Sequence, residues 1–324
     1  MLQLNYRTQI TEVPDCMMGS IVNAALYYGM DYAYLYRGIW VFRFEAKSEQ
    51  NDSFWKRLST DELVNSHKQI ELYHGLQLQR YEACDKEEFL SVLKKELQNG
   101  NPVAVGFDAF YCPWSGVYRR HTLLHFCLIV GLDEKSREIL CADPYFMANI
   151  RPCPIDEMMA GFLEFSLFRK IQPVCGLETW KQDVLLCAKQ KIDDDVFTQM
   201  REMKDEILNS RGFVSEIRQQ NDKYSYELFY QIKYIHHSRV NHGEFLRYVA
   251  KHVGQQAQML NKSAKCLDEA GKLWATTGQC FTKLAYLDDK KRTEKLIAGI
   301  AERMEKCIEL EYLAATHILE SIGE

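Results

Sequence analysis

Apolar positions in the first half of the chain alternate between helical and strand spacing. Behind the turn "VPD" (13–15), Ile21, Val22, Ala25 and Leu26 recur at helical intervals. "EEFLSVLKKELQNG" (87–100) is amphipathic, with Phe89, Leu90, Leu93 and Leu97 on one face and Gly100 as its stop. "NPVAVGFDAF" (101–110) then reads as a strand. "HFCLIVGLD" (125–133) is almost wholly apolar, which predicts a strand buried on both faces. "DEKSRE" (133–138) is a polar turn, "ILCADP" (139–144) returns as a strand, and "GFLEFSLFRKI" (161–171) closes the sheet. "DYAYLYRGIWVFRF" (31–44) mixes aromatics with Gly38 and reads as a loop and strand at the entrance of a cleft.

The second half keeps one period. Phe245, Val249, Val253, Leu260, Ala264, Leu267, Trp274 and Phe281 follow a helical rhythm, as do Leu296, Ile300, Met304, Cys307 and Ile308. "YLDDKKRTEK" (286–295), with its solvated charge cluster, separates the two runs. All seven prolines lie at or before Pro173, and proline breaks helix interiors. The pattern predicts an α+β domain with a mainly antiparallel sheet over residues 1–175. An all-α domain of about four helices follows over 176–324, joined at "QPVCGLETW" (172–180).

Composition narrows the function classes. The chain has 324 residues, 47% of them hydrophobic and 26% charged, in the range of globular proteins. A net charge of −5 without a basic stripe argues against nucleic acid as a partner. Eleven scattered cysteines without a C-x-x-C pair argue against a disulfide framework or a structural zinc site and for a reducing cytoplasm. "MLQLNYRTQITEV" lacks the apolar core of a signal peptide, and no stretch is long enough to span a membrane.

Three residues carry candidate chemistry. Cys16 stands where the first apolar helix should begin. Backbone N–H groups and the helix dipole favour an anion there and offer oxyanion donors; the alternative is a small buried thiol. His125 opens an apolar strand, where it points into a cleft or bonds a nearby carbonyl. Asp143 follows 18 residues later, within reach of His125 if the two strands form a hairpin. There it would orient the imidazole, or simply begin an Asp-Pro turn.

The order Cys, His, Asp on first helix, strand and next strand is that of papain-like cysteine enzymes. "DCMMGSIVNAALYYGM" with "HFCLIVGLDEKSREILCADPYF" resembles the bacteriocin-processing peptidases of that group. "GNPVAVGFDAFYCPWSGVYRRHTLLHFCLIVGLDEK" (100–135) more closely resembles the N-terminal domain of the butirosin biosynthesis protein H family. That likeness covers residues 10–175, and the family also continues into a helical half. It implies a papain-like fold and a cysteine acyltransferase of antibiotic, nonribosomal-peptide or polyketide pathways. In that reading Cys16 takes an acyl group from the phosphopantetheine arm of an acyl or peptidyl carrier protein. His125 deprotonates Cys16 and then assists a small-molecule amine or hydroxyl acceptor, and Asp143 orients His125. No cofactor is bound, and the helical domain caps the cleft against water and holds substrate.

The resemblance also implies an oxyanion-stabilising Gln about six residues before the cysteine; here Gln9 is seven before. Met17 stands where the peptidases have glycine, which weakens the peptidase reading more than the transferase one. Asp108, Tyr111, Trp114 and His121 fall in the family's order and are candidates for cleft or substrate contacts. "HTLLH" spaces His121 and His125 as zinc ligands on a helix would be, but lacks the intervening Glu. "FYCPW" (110–114) reads as an acyl-tunnel wall or as core. "HHSRVNHGEF" (236–245), placed at a helix junction, either faces the cleft or is a solvated helix start. Two further readings stand beside the transferase: a peptidase, amidase or editing thioesterase with the same triad, and a non-catalytic papain-like binding module. Homo-oligomerisation is left open.

Overall fold

A computed structural model describes residues 1–47, 53–209, 211–219 and 227–323. In chain order, the first elements are β1 (Leu2–Gln3), α1 (Cys16–Tyr27), β2 (Arg43–Phe44), β3 (Leu58–Ser59), α2 (Ser66–His74), β4 (Leu76–Glu82) and α3 (Lys86–Gln98). Then come β5 (Val103–Asp108), β6 (Leu124–Asp133), β7 (Glu138–Ala142), β8 (Arg151–Pro154), α4 (Ile155–Gly161) and β9 (Phe162–Lys170). Among the described residues six helices follow: α5 (Trp180–Asp193), α6 (Val196–Asn209), α7 (Arg211–Gln219), α8 (Glu227–Ala250), α9 (Ala257–Ala285) and α10 (Lys290–Ile322). The fold is therefore mixed α and β, with an antiparallel sheet and a helical C-terminal region.

The chain divides into two compact units, residues 1–32 with 67–175, and residues 33–66 with 176–324. The first unit holds a sheet in the order β4-β9-β5-β6-β7-β8, with β1 added beside β6 and every pairing antiparallel. β5 and β6 are buried almost throughout, as their apolar runs require. Gly106 in β5 permits the tight layer, because a Cβ there would meet the Phe126 ring at 2.7 Å. α1 packs on β6. Its N-cap is Asp15, whose Oδ1 accepts the Met18 N–H at 2.8 Å. Two elements escape the apolar pattern. β4 is an edge strand that reads Leu-Gln-Leu-Gln-Arg-Tyr-Glu, and β8 is Arg-Pro-Cys-Pro.

The second unit is built on α8, α9 and α10, with α5 and α6 against α10 and α7 against α9. Six helices lie after residue 176 among the described residues, where about four were expected. The apolar rhythm from Phe245 to Phe281 spans a break at 251–256, in which Gly254 takes a φ of +43° before the chain enters α9.

Residues 33–44 also depart from expectation. Only Arg43 and Phe44 are strand, and the stretch is core of the second unit, with Tyr34, Tyr36, Trp40 and Phe42 buried. Tyr34 donates to Asp183 Oδ2 at 3.1 Å, and Arg37 pairs with Asp183 Oδ1 at 2.9 Å. The Phe44 N–H donates to Gln199 Oε1 at 2.9 Å. "HHSRVNHGEF" lies in the middle of α8 rather than at a helix junction, and His242 is fully buried with Nδ1 3.1 Å from the Tyr36 carbonyl.

A candidate active site in the first unit

Strand register brings Asp143 to His125. Leu128 pairs with Ala142, so one residue further Asp143 stands opposite Cys127. His125 is two residues from Cys127 and projects from the same face of the sheet. The outcome is a bond of 2.7 Å between His125 Nε2 and Asp143 Oδ2, with His125 3% and Asp143 0% exposed. Trp114 Nε1 donates to the same Oδ2 at 2.7 Å, and the Tyr145 N–H donates to Oδ1 at 3.1 Å. A buried carboxylate with three donors is fully hydrogen-bonded and rigid.

Cys16 is the first residue of α1 and is half-buried. Its Sγ accepts the Phe126 N–H at 3.2 Å. Because Nε2 is engaged by Asp143, Nδ1 is the ring nitrogen left for the Cys16 thiol, which hydrogen-bonds His125. Burial alone would push the His125 pKa down. The bonds and charges of Asp143 and Cys16 outweigh it and raise the pKa to about 10. Around the ring stand Phe107 at 5.7 Å, Phe146 at 4.9 Å and Tyr145 at 6.4 Å between centroids. The arrangement joins a thiol at a helix N-terminus, an imidazole and an orienting carboxylate, the elements of nucleophilic catalysis.

The other sequence candidates have distinct positions. Gln9 is exposed, and its backbone is held by Asn23 of α1. Asn23 Oδ1 accepts the Gln9 N–H at 2.8 Å, and Asn23 Nδ2 donates to the Gln9 carbonyl at 2.9 Å. The Thr11 N–H donates to the Pro144 carbonyl at 3.2 Å, so residues 9–11 are tied both to α1 and to the loop carrying Asp143. Asp108 Oδ1 accepts the N–H groups of Phe110 at 2.9 Å and Leu123 at 3.0 Å. It thereby pins both ends of the loop that presents Trp114. Tyr111 stacks edge-on with Phe110 at 5.1 Å beneath the Arg119 guanidinium. His121 is exposed, and its N–H donates to the Val117 carbonyl at 3.1 Å. In "FYCPW", Cys112 is core and Trp114 is a hydrogen-bond donor.

Sequence reading did not anticipate Asn23, the Phe126 N–H or the Trp114 bond. Asn23 did leave a signal. It is a polar residue seven positions after Cys16 in an apolar helix, hence on the same face. The other two depend on a backbone group and a loop, which have no period.

Residues 43–144 match the family described as Butirosin biosynthesis protein H, N-terminal, in agreement with the resemblance read from residues 100–135. The matched span contains Trp114, His125 and Asp143 and leaves Cys16 outside it. No curated protein matches the chain.

Proposed function

We propose that the protein is a biosynthetic cysteine acyltransferase of papain-like design, with Cys16 as nucleophile, His125 as proton carrier and Asp143 as orienter. The reading is carried by one observation: His125 bonds Asp143 at 2.7 Å through Nε2 and faces the half-buried Cys16 thiol with its other nitrogen. The family match supports an enzyme of antibiotic-type biosynthesis.

In the proposed sequence the Cys16 thiol transfers its proton to His125 before attack, and the raised pKa of the imidazole favours holding it. The thiolate attacks the thioester carbonyl of an acyl group on a carrier protein's phosphopantetheine arm. The oxyanion is stabilised by N–H donors at the start of α1, with the Gln9 amide as a further donor. The C–S bond to the arm breaks, His125 protonates the departing thiolate, and an acyl-Cys16 thioester remains. An amine or hydroxyl acceptor then attacks, gives its proton to His125, and releases Cys16. Exchange of one thioester for another is nearly isoenergetic, and transfer to an amine is downhill. Exclusion of water separates this chemistry from hydrolysis.

The test is intact-protein mass spectrometry after incubation with an acyl-pantetheine thioester. One acyl group should appear, map to Cys16, and leave faster with added amine than with water. Iodoacetamide at mildly acidic pH should alkylate Cys16 first. Burial pushes the thiols of Cys112, Cys127, Cys153 and Cys307 up, and that of Cys187 to about 11. First alkylation at another cysteine together with absence of the acyl adduct would overturn the reading. An adduct that turns over only to water would make the protein a hydrolase.

A further inference from the structure

The end of α9 and the beginning of α10 diverge around a concavity of about 680 Å³ within the second unit. Lys283 and Tyr286 form one wall, and Arg292, Lys295, Leu296 and Arg303 the other. Four of its nine lining residues are cations and none is an acid, in a chain of net charge −5.

Helix stability does not account for this clustering. Lys283 complements the C-terminal dipole of α9, but α10 opens with Lys290, Lys291 and Arg292 and has no acid in its first turn. Cations there oppose the helix dipole. Two nearby acids lie outside the lining and are engaged: Asp289 Oδ1 accepts the Arg292 N–H at 2.7 Å as the cap of α10, and Glu302 pairs with Lys306 at 2.8 Å.

Arg303 is the most constrained of the four. Its Nη2 donates to Cys280 Sγ at 3.0 Å, while Nε is buried without a hydrogen-bond partner. The guanidinium lies across Gly299, where a Cβ would stand 3.4 Å from Nη2. Nη1 and the guanidinium carbon would lie at 3.6 and 3.9 Å from the same point, so the flat cation rests against this turn of the wall. Beside it, Leu296 and the 67% exposed Tyr286 offer an apolar and aromatic surface.

We propose that this concavity binds an organic phosphate, its head held by Arg303, Lys295 and Arg292 and its body laid against Leu296 and Tyr286. A phosphate monoester carries about −1.5 to −2 charges and three acceptor oxygens, which suits several converging cations better than a single carboxylate does. Small-ligand sites occupy about 300–1,000 Å³, so the volume suits a nucleotide or a short acyl-glycerol phosphate.

Calorimetric titration of the full-length protein with inorganic pyrophosphate, ADP and dihexanoyl phosphatidate tests the site and its ligand class. One organic phosphate should bind one-to-one and about tenfold more tightly than pyrophosphate, and the tighter one identifies the body as nucleoside or acyl glycerol. The exposed pair Arg292→Gln/Lys295→Gln should weaken that complex by about tenfold or more. The proposal falls if no probe binds below about 1 mM, if pyrophosphate binds as tightly as both organic phosphates, or if binding is unchanged in the Arg292→Gln/Lys295→Gln variant.

Discussion

Each unit of the chain buries a cluster of charged side chains, and the two clusters end differently. In the second unit, Glu311, Arg239 and Lys191 are all 0% exposed. The Glu311 carboxylate accepts Trp40 Nε1 at 2.7 Å, Trp274 Nε1 at 2.9 Å, and Arg239 Nε and Nη2 at 2.9 and 3.0 Å. The two tryptophans cap the carboxylate, and all three charged side chains stay buried. In the first unit, Asp143 meets three donors, but its chain of contacts runs through His125 to a half-buried thiol. Both clusters shift pKa values strongly: Glu311 is held down at about 2, chiefly by Arg239 and Lys191 against its own burial, and His125 is raised to about 10. A perturbed ionisable group therefore does not mark a site by itself. What sets the proposed site apart is its open end, because a nucleophile must meet substrate.

The sharpest way to break this contrast is Asp143→Asn. If the amide oxygen faces His125 and Trp114, the amide NH₂ faces the Tyr145 N–H, a second donor. If it turns over, the NH₂ meets both His125 Nε2 and Trp114 Nε1 and the ring loses its orientation. Acylation of Cys16 by a thioester should slow by about 10⁴-fold, as for loss of the orienting carboxylate in a catalytic triad. Stability should fall by only about 1–3 kcal/mol. Single-turnover mass spectrometry and urea unfolding read the two effects. A larger loss in stability than in rate would make Asp143 a structural anchor like Glu311.

What was legible in the sequence follows the same division between local pattern and distant contact. β5, β6, β7 and β9 announce themselves because their residues are apolar enough to lie inside a sheet. β4 does not, since an edge strand tolerates Gln77, Gln79 and Arg80, and Arg80 there pairs with Glu164 across the ladder. Asp143 could be placed beside His125 because a hairpin register is a local rule, whereas Cys16 joined them only through the chain order of papain-like enzymes, its contact with Phe126 spanning 110 residues. Trp114 reaches Asp143 across 29 residues through an irregular loop, so the same residue read as cleft wall. Residues 33–44 looked apolar, but nothing local says which core receives them; Arg239 Nη1 donating to the Val41 carbonyl is a contact across 198 residues. Lys191, Arg239 and Glu311 sit in helices with ordinary charge content, and spacing does not reveal which charges turn inward.

Glu311→Gln should produce the next largest effect, now on stability. The substitution leaves Arg239 buried without its counter-charge and points an amide NH₂ at indole or guanidinium donors. Removing one partner of a buried ion pair costs about 3–5 kcal/mol. Guanidinium or urea unfolding should show a midpoint shift of that size. A loss below about 1 kcal/mol would mean that the cluster is effectively solvated and that the comparison with the first unit is wrong.

Lys191 should give the smallest effect, of the opposite sign. Its Nζ is 3.6 Å from Glu311 Oε2, has no hydrogen-bond partner, and lies 5.2 Å from the Trp40 ring centre. Burial first, and then the Arg239 charge, lower its pKa from 10.5 to about 7, against opposing pulls from Glu311 and Cys187. Between about pH 7 and 10.5 the unfolded chain therefore binds the proton that the folded chain releases. Stability contributed by this group rises with pH across that window and is lost as pH falls through about 7. Without the lysine, Glu311 keeps the hydrogen bonds of Arg239 and two indoles. Lys191→Met should keep the packing on Trp40, stabilise the protein by about 1 kcal/mol at pH 7, and flatten the rise in stability between pH 7 and 10. Denaturant melts at pH 7, 8.5 and 10 measure both. A methionine variant less stable than the parent at pH 7 would show that Lys191 serves as a needed counter-charge to Glu311, and that the second cluster is a balanced triad rather than a saturated pair with an extra cation.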